Sequence, residues 1–271
     1  YYRMKILIIN YLGGKWCDVM RHCNNCICID ESSLDNYNKQ NYKLLPIFID
    51  EFVKYNHIEN NIFRNTLENI HLLNNKSKFA KYMLTHFPES IPLTYYYNFD
   101  NEYFINISMN NNINNNNTST TDSLHDKMII KPNEDMGGTG VQIINTFDSN
   151  IKSNYIIQQY IEHVEYYAGH FLVFNGVIYN KVFFMSSEKN RDGITCGAIT
   201  NYKIITDLSV DDTIFRTIFT NLNYSGICCA DFTIKKDKII IFEINPRPGG
   251  SLLLNETYFN RFVDTLLQVI R

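Results

Sequence analysis

The sequence predicts an α+β protein built from more than one lobe, and three observations support this fold class. The chain has 271 residues, which suits one large domain or two to three smaller lobes. Short apolar runs typical of β-strands and segments with the apolar spacing of helices both recur along the chain. A hydrophobic content of 45%, with 14% aromatic residues, is sufficient for a sizeable core.

The N-terminal part, residues 4–73, has the pattern of a small α/β unit. Apolar runs and helix-like spacing predict strands and helices at Met4–Ile9, Ile27–Ile29, Asp50–Tyr55 and Asn65–Leu73. The turn Gly13-Gly14 after the first strand is found in dinucleotide-binding folds, but the full GxGxxG spacing is absent.

A break in composition divides the next part of the chain. A helix is predicted from Asn75 to His86, and a strand follows at Tyr95–Tyr97. Residues 98–126 are rich in asparagine, and such a tract cannot bury enough apolar surface to order itself. We therefore expect a mobile insertion there.

The remaining residues are predominantly β-structured. Strands are predicted at Lys127–Lys131, Val141–Asn145, Tyr155–Ile161, Tyr166–Phe174 and Val177–Phe184. Asn175-Gly176 is a typical tight hairpin turn. Helices are predicted at Ser209–Leu222 and Tyr258–Val269.

Charge and hydropathy argue against several classes of partner. The formal net charge is −3, so the composition predicts no binding to nucleic acid or to an anionic membrane. No apolar run reaches the length of a membrane span, and we expect a soluble protein.

The cysteines point to a reducing compartment. Cys23 and Cys26 have the CxxC spacing of a zinc or redox motif, yet no second pair follows at zinc spacing. Cys26 also opens a predicted strand, whereas a redox motif needs a helix that starts at its first cysteine. We expect free thiols and a cytoplasmic location.

A predicted β-hairpin near the C-terminus is the most informative segment. Two apolar runs, Ile227–Ile234 and Ile239–Ile244, flank the polar sequence Lys235–Lys238. A turn centred on the third of these polar residues would place Asp231 opposite Glu243 on the neighbouring strand.

The end of this hairpin gathers groups that suit a metal and phosphates. Glu243 and Asn245 share one strand face and would converge with Asp231 as oxygen ligands, which Mg²⁺ prefers. Arg247 follows, where a planar cation could clamp phosphate oxygens. Acidic residues near hairpin ends are often simply solvated, but four such groups together favour a phosphoryl-transfer site.

A second candidate site joins a lysine to a glycine-rich loop. Lys131 ends a predicted strand, and Gly137, Gly138, Thr139 and Gly140 follow it. Glycines let backbone N–H groups approach phosphate oxygens, and the lysine supplies a point charge. The loop is not a Walker loop, and an ordinary glycine hairpin would have the same sequence pattern.

A third segment is suited to a nucleoside. Gln158, Gln159, Tyr160 and Ile161 form an extended stretch whose backbone could bind an adenine edge. The carboxylate of Glu165 could then accept hydrogen bonds from ribose hydroxyls. A plain β-strand with amphipathic ends would fit the same pattern.

In order and spacing, these motifs resemble the ATP-grasp superfamily over most of residues 74–251. The resemblance implies two α+β lobes that clasp ATP, preceded by a short Rossmann-like α/β domain. The implied boundaries are 1–73 for the N-terminal domain, 74–157 for the small lobe with its insertion at 98–126, and 158–271 for the large lobe with the metal site.

The resemblance also assigns the nucleotide contacts. By resemblance Lys76 and Lys131 contact the phosphates, and the loop Gly137–Gly140 is the flap above them. The segment Gln158–Ile161 is the hinge that binds adenine, and Glu165 is the ribose-binding carboxylate. The sequence departs from the family in one of these positions, because Gln158 stands where glutamate is usual.

The metal set and the chemistry follow from the same resemblance. Asp231, Glu243 and Asn245 would bind Mg²⁺ or Mn²⁺, while Lys131 and Arg247 would absorb the charge that develops on the phosphates. The implied enzyme is an ADP-forming carboxylate–amine ligase that uses ATP and an acyl-phosphate intermediate. Its expected substrates are small molecules, an amino acid or small peptide among them, and such ligases are often homodimers.

Two alternatives stay open at the level of sequence. One is a ligase that modifies a peptide or protein carboxylate, and the other is an ATP-binding module without turnover. Arg191 or Lys203 could bind a substrate carboxylate, whereas His163 and His170 are expected to be surface or structural residues.

Overall fold

The structure is a computed structural model. It describes residues 4–9, 19–20, 22–37, 41–59, 61–63, 67–98, 103–106, 127–134, 140–145, 154–162, 165–187 and 201–270. Among the predicted site residues, Gly137, Gly138, Thr139 and Arg191 lie outside the described residues, and so does His163.

The N-terminal unit is a parallel three-stranded sheet. Its strands are β1 (Lys5–Ile9), β2 (Cys26–Ile29) and β3 (Tyr42–Leu44), in the order β2-β1-β3. A short 3₁₀ helix spans Glu31–Asn36, and helix α1 spans Ile49–Lys54. The prediction of strands followed by helices is confirmed, while the assignment of this unit to a Rossmann-like domain stays a prediction.

Two consecutive helices connect this unit to the rest of the chain. Helix α2 spans Leu67–Asn74 and helix α3 spans Lys76–His86. Asn75 separates them and caps α3, because its side chain accepts a hydrogen bond from the backbone N–H of Lys78 at 3.0 Å. A 3₁₀ helix at Pro88–Ser90 follows.

A small antiparallel sheet of five strands comes next, in the order β5-β4-β8-β6-β7. Its strands are β4 (Thr94–Asn98), β5 (Tyr103–Asn106), β6 (Met128–Pro132), β7 (Gln142–Ile144) and β8 (Tyr155–Gln159). The predicted mobile insertion at 98–126 is therefore too long at its start, since Asn98 ends β4 and residues 103–106 pair with β4. The rest of that tract lies outside the described residues.

The C-terminal half forms a larger antiparallel sheet in the order β11-β10-β9-β12-β13. Its strands are β9 (Tyr166–Phe174), β10 (Val177–Ser186), β11 (Lys203–Ile205), β12 (Gly226–Lys235) and β13 (Lys238–Asn245). The helices of this half are α4 (Thr213–Asn221), α5 (Gly250–Leu253) and α6 (Glu256–Val269). Among the described residues, no helix is both long and apolar enough to cross a membrane.

Two apolar clusters hold the large sheet between layers of helices. On one face, buried phenylalanines pack together with α3 and α4; they are Phe171, Phe183, Phe215, Phe219 and Phe232. The other face shares a cluster with α6 and with the N-terminal sheet, through Leu172, Phe262 and Ile6. The side chain of Asn25 also donates a hydrogen bond to Asp264 at 2.6 Å. The N-terminal sheet is thereby fixed against the back of the large sheet.

The turn of the last hairpin carries conformational strain. Lys236 and Asp237 both have positive φ, 52° and 60°, between the paired residues Lys235 and Lys238. Two-residue hairpin loops of this kind favour glycine, because side chains disfavour the left-handed region.

We expect Asp237→Gly to raise the free energy of unfolding by about 0.5–1 kcal/mol. The measurement is urea unfolding followed by circular dichroism. Lys238→Gly is the matched control, because a glycine within a strand should lower the stability by a similar amount. A loss of stability in Asp237→Gly would contradict this explanation of the turn.

Candidate active site

Three oxygen-bearing side chains meet at the open end of the β12–β13 hairpin. Asp231 lies directly opposite Glu243, and Asn245 follows two residues further along β13. The Asn245 Nδ2 atom lies 3.0 Å from Glu243 Oε1 and 3.3 Å from Asp231 Oδ2. The structure therefore brings the three predicted metal ligands together.

A β-bulge sets this register. The turn lies between Lys236 and Asp237, so a regular ladder would place Asp231 opposite Phe242. Instead Phe232 pairs with Ile241 while Asp231 pairs with Glu243, which leaves Phe242 as the extra residue on β13. The bulge thus turns both carboxylates to the same face of the sheet.

Two lysines from other parts of the fold approach the carboxylates. Lys76 starts helix α3, and its Nζ atom lies 3.6 Å from Glu243 Oε2. Lys131 lies near the end of β6, with its Nζ atom 5.5 Å from the centre of the Phe242 ring. Both lysines are more than 90% buried. Two buried ammonium groups placed side by side are suited to an anion such as phosphate.

Burial and charge pull the pKa values of the two carboxyls apart. Burial, together with the adjacent Glu243 charge, raises the pKa of Asp231. Burial alone would raise the pKa of Glu243 as well, but Lys76 and Lys131 lower it below its ordinary value. Burial lowers the pKa of Lys131, although Glu243 opposes this shift. A divalent cation would relieve the repulsion between the carboxylates.

These residues fit a magnesium site. Two carboxylates and an amide offer the oxygen ligands that Mg²⁺ and Mn²⁺ prefer, and the Asn245 amide can present either its oxygen or its nitrogen. No group of three His, Cys, Asp or Glu that could hold a metal occurs among the described residues, so Asn245 would have to complete the set.

Tyr166 is a site residue that the sequence did not reveal. Its buried hydroxyl forms a hydrogen bond with Asp231, and its ring stacks on Phe242 at 6.4 Å between ring centres. The contact arises because β9 pairs with β12 in the middle of the sheet. Strand order of this kind leaves no local signal in the sequence.

Arg247 lies just beyond the metal set, in the segment between β13 and α5. Its backbone N–H donates to the Asn245 carbonyl at 2.8 Å, and its Nη1 donates to the Pro248 carbonyl at 3.4 Å. Its Nε atom is buried and has no hydrogen-bond partner among the described residues. The guanidinium thus retains a donor for a ligand.

The predicted nucleoside segment begins inside the small sheet. Gln158 lies on β8 and is 1% exposed; its Nε2 donates to Thr94 Oγ1 at 3.0 Å. Its Oε1 is buried without a partner among the described residues, so an acceptor remains for a donor such as an adenine amino group. The backbone N–H groups of Gln159 and Tyr160 donate to the carbonyls of Leu93 and Lys127.

Backbone hydrogen bonds limit which groups of the segment Gln158–Ile161 could bind a base. Because the N–H groups of Gln159 and Tyr160 already donate to backbone carbonyls, a base could bond to them only by competing with those hydrogen bonds. Ile161 follows β8 and belongs to no helix or strand. Glu165 precedes β9, where its Oε2 accepts from the Tyr167 hydroxyl at 2.5 Å and its carbonyl accepts from Thr233 Oγ1 at 2.7 Å.

Two further predicted residues, Gly140 of the glycine loop and Lys203, lie in different parts of the fold. Gly140 has φ of 73°, and a Cβ there would lie 2.9 Å from Pro132 Cγ, so only glycine fits. Lys203 begins β11, an edge strand three places from the strand that carries Asp231. The structure does not bring Lys203 to the metal set.

Comparison with known proteins agrees with the fold. The profile of the ATP-grasp domain matches residues 74–251, more than half of the chain. The chain belongs to the ATP-grasp family, and the ATP-grasp fold expected from the sequence is confirmed. A search of curated protein sequences gave no significant match.

Solved structures with the same fold include several ligases. D-alanine–D-alanine ligase from Helicobacter pylori is 14% identical with a TM-score of 0.56, and 98% of each chain is covered. L-amino acid ligase from Bacillus licheniformis is 11% identical with a TM-score of 0.57, covering 99% of this chain and 75% of that one. N5-carboxyaminoimidazole synthetase from Staphylococcus aureus is 13% identical with a TM-score of 0.58, covering 97% of this chain and 77% of that one.

Proposed function

We propose that the protein is an ATP-dependent, ADP-forming carboxylate–amine ligase that acts on an amino acid or small peptide. The observation that carries this proposal is the meeting of Asp231, Glu243 and Asn245 with the two buried lysines. A cation-binding set next to buried ammonium groups is suited to hold a nucleoside triphosphate. Structural neighbours that ligate amino acids support the proposed substrate class.

The proposed roles follow the positions of the side chains. Lys76 and Lys131 hold phosphate oxygens, and Arg247 and Lys131 stabilise the negative charge that develops during transfer. Bound Mg²⁺ or Mn²⁺ supplies positive charge to the phosphate oxygens. Gln158 offers its unpartnered acceptor to adenine, and Glu165 is proposed to hold the ribose.

The proposed reaction has two steps that share these groups. A carboxylate oxygen of one substrate attacks the γ-phosphorus of ATP, and the bond between this phosphorus and the β–γ bridging oxygen breaks. ADP is released and an acyl phosphate is formed. The amine then attacks the acyl carbon, phosphate departs, and the proton of the amine passes to solvent. Side chains of the protein need only position the reactants and neutralise charge.

Two other functions compete with this one and can be separated from it. A peptide- or protein-modifying ligase would bind ATP but would not release ADP with free amino acids. A non-catalytic ATP-binding module would release none with any acceptor. We also propose a cytoplasmic location, because free thiols suit a reducing compartment. A homodimer is proposed on family grounds, and size-exclusion chromatography with light scattering tests it.

The deciding experiment measures Mg²⁺-dependent ADP release with pooled amino acids. We expect release that requires the pool and that falls about 10- to 100-fold in Asn245→Ala, because that variant loses one ligand of the metal set. Asn36→Ala is the matched control, since Asn36 is exposed in the N-terminal unit. Release in Asn245→Ala equal to wild type would contradict the proposed site, and tight ATP binding without release would favour one of the two alternatives.

A further inference from the structure

A buried histidine lies in the same row of the large sheet as Asn245. His170 on β9 pairs with Cys229 on β12, and Cys229 pairs with Asn245 on β13. The His170 side chain is 0% exposed, and its ring meets Phe184 edge to face at 5.3 Å between centres. Burial of a polar ring needs a compensating hydrogen bond.

That hydrogen bond reaches the segment that follows the metal set. His170 Nε2 lies 2.8 Å from Ser251 Oγ, in the first turn of α5. His170 Nδ1 has no partner among the described residues, so Ser251 provides the hydrogen bond that the structure gives this ring. Burial first, and the charge of Arg247 second, lower the pKa of His170 to about 3, so the ring is neutral.

The backbone of the same segment lies directly on the histidine. A Cβ added to Gly249 would lie 2.6 Å from His170 Cε1 and 2.7 Å from Cys229 Sγ. The segment therefore has no room to move towards the sheet. In the opposite direction it is retained by the bond between His170 and Ser251.

Arg247 lies between two anchors of this segment. One anchor is the bond from the Arg247 N–H to the Asn245 carbonyl at 2.8 Å. The other is the contact of Gly249 and Ser251 with His170. Among the described residues, the only hydrogen bond of the guanidinium is the long one to the Pro248 carbonyl, so the backbone decides where it lies.

We propose that His170 is a positioning residue, which holds the segment Arg247–Ser251 and thereby fixes the position of Arg247 just beyond the metal set. This inference rests on the proposed function for its kinetic consequence, because Arg247 is the group proposed to stabilise the transferred phosphoryl group. A displacement of about 1 Å in a positioning element can cost about 100-fold in rate. His170 contacts no substrate in this assignment, and it acts through Ser251 and Gly249.

Two amide substitutions of equal polarity test the assignment. The amide of His170→Gln reaches the position of Nε2 and can bond Ser251, whereas the shorter amide of His170→Asn reaches only the position of Nδ1. We expect His170→Asn to lower kcat for ADP release about 10- to 100-fold. We expect His170→Gln to stay within about threefold of wild type. The KM for ATP should change less than about twofold in both, since the proposed ATP ligands are untouched.

Backbone hydrogen exchange tests the positioning without reference to any reaction. The amides of Leu253 and Leu254 bond to the carbonyls of Gly249 and Gly250, so they report on the first turn of α5. We expect exchange at these amides to rise about tenfold in His170→Asn and in Ser251→Ala, with β12 and β13 unchanged. The double variant should exchange no faster than either single variant, because both substitutions remove the same hydrogen bond between His170 and Ser251.

The possible outcomes separate the positioning role of His170 from the proposed function of the protein. Equal exchange in wild type, His170→Asn and Ser251→Ala would overturn the positioning role, whatever the enzyme does. Equal losses of kcat in His170→Asn and His170→Gln would also overturn the positioning role. The loss would then follow from changing a buried side chain and not from removing its hydrogen bond with Ser251. Absence of ADP release in wild type would reject the proposed function alone, since the exchange data would still show whether His170 holds the segment. If His170→Asn does not fold, Ser251→Ala gives the same two measurements.

Discussion

Asp231→Asn is expected to lower the rate of Mg²⁺-dependent ADP release about 1000-fold, which corresponds to roughly 4 kcal/mol of lost stabilisation. The substitution keeps the shape of the side chain but removes one of the two negative charges in the metal set. The concentration of Mg²⁺ needed for half-maximal release should rise in parallel. Steady-state ADP release across a Mg²⁺ titration provides both quantities.

The same variant should be more stable than wild type when no metal is present. Asp231 and Glu243 face each other across the hairpin, and burial together with this neighbour raises the pKa of Asp231. A carboxyl with a raised pKa destabilises the folded state once it is ionised, so a neutral amide removes that penalty. Thermal unfolding in EDTA measures this effect. Opposite changes in activity and stability are typical of residues kept for function.

Asp207→Asn provides the control for this experiment. Asp207 is exposed in the segment before α4, and its loss of charge should change neither ADP release nor Mg²⁺ dependence. Should Asp231→Asn retain activity within about tenfold of wild type, the carboxylate would not be a metal ligand in the sense proposed.

The pairing of Asp231 with Glu243 could be predicted from sequence because a hairpin is local. Apolar runs on either side of a short polar turn define the two strands and their faces. The predicted pairing of Asp231 with Glu243 is correct, but the turn is not centred on Asp237 as predicted. The turn is centred between Lys236 and Asp237, and the bulge at Phe242 restores the pairing of Asp231 with Glu243. A bulge depends on packing against the rest of the sheet, so sequence pattern alone does not reveal it.

The position of the lysines could not be derived from local pattern. Lys76 and Lys131 are separated from Glu243 by more than one hundred residues, and only the family resemblance assigned them to one site. The structure supports that assignment through the 3.6 Å contact between Lys76 and Glu243. The contact of Tyr166 with Asp231 was missed for a related reason, because the pairing of β9 with β12 is non-local. His170 was expected to be surface or structural, and its burial is consistent with a structural role.

Segment boundaries depend on turns and on local hydrogen bonds as well as on apolar spacing. The strand Tyr166–Phe174 was predicted with its observed ends, because an apolar core run stops at the Asn175-Gly176 turn. The helix predicted from Ser209 begins at Thr213, after Asp211 has bonded the Thr213 N–H in a local turn. Short polar side chains of this type compete with the helix for backbone groups.

Lys131→Met is expected to weaken ATP binding about 100-fold and to lower ADP release by a further factor of about 10–100. The methionine fills the same volume, but it removes a buried positive charge from the position where phosphate oxygens are proposed to lie. The loss of affinity reports on the contact of Lys131 with ATP in the ground state. The further loss of rate reports on its interaction with the charge that develops only during transfer. Isothermal titration with ATP gives the affinity, and steady-state ADP release gives the rate.

Lys127→Met is the matched control, four residues before Lys131. Lys127 is exposed immediately before β6, whereas Lys131 is 8% exposed within it. A general contribution of positive charge to ATP attraction would weaken binding in both variants, because both remove one positive charge near the site. Equal losses in the two variants would therefore contradict a specific phosphate contact.

Lys131→Arg separates charge from shape at this position. The ammonium lies 5.5 Å from the Phe242 ring centre in a buried position next to the carboxylate pair, and a guanidinium is larger and planar. Arginine should therefore recover ATP affinity to within about tenfold of wild type, since it restores the charge, but it should leave the rate of ADP release low. Because Lys131 belongs to β6 while Phe242 belongs to the bulge of β13, this contact joins the two sheets at the site. A variant that binds ATP but does not turn it over would show that the position of the charged group, and not charge alone, sets the rate.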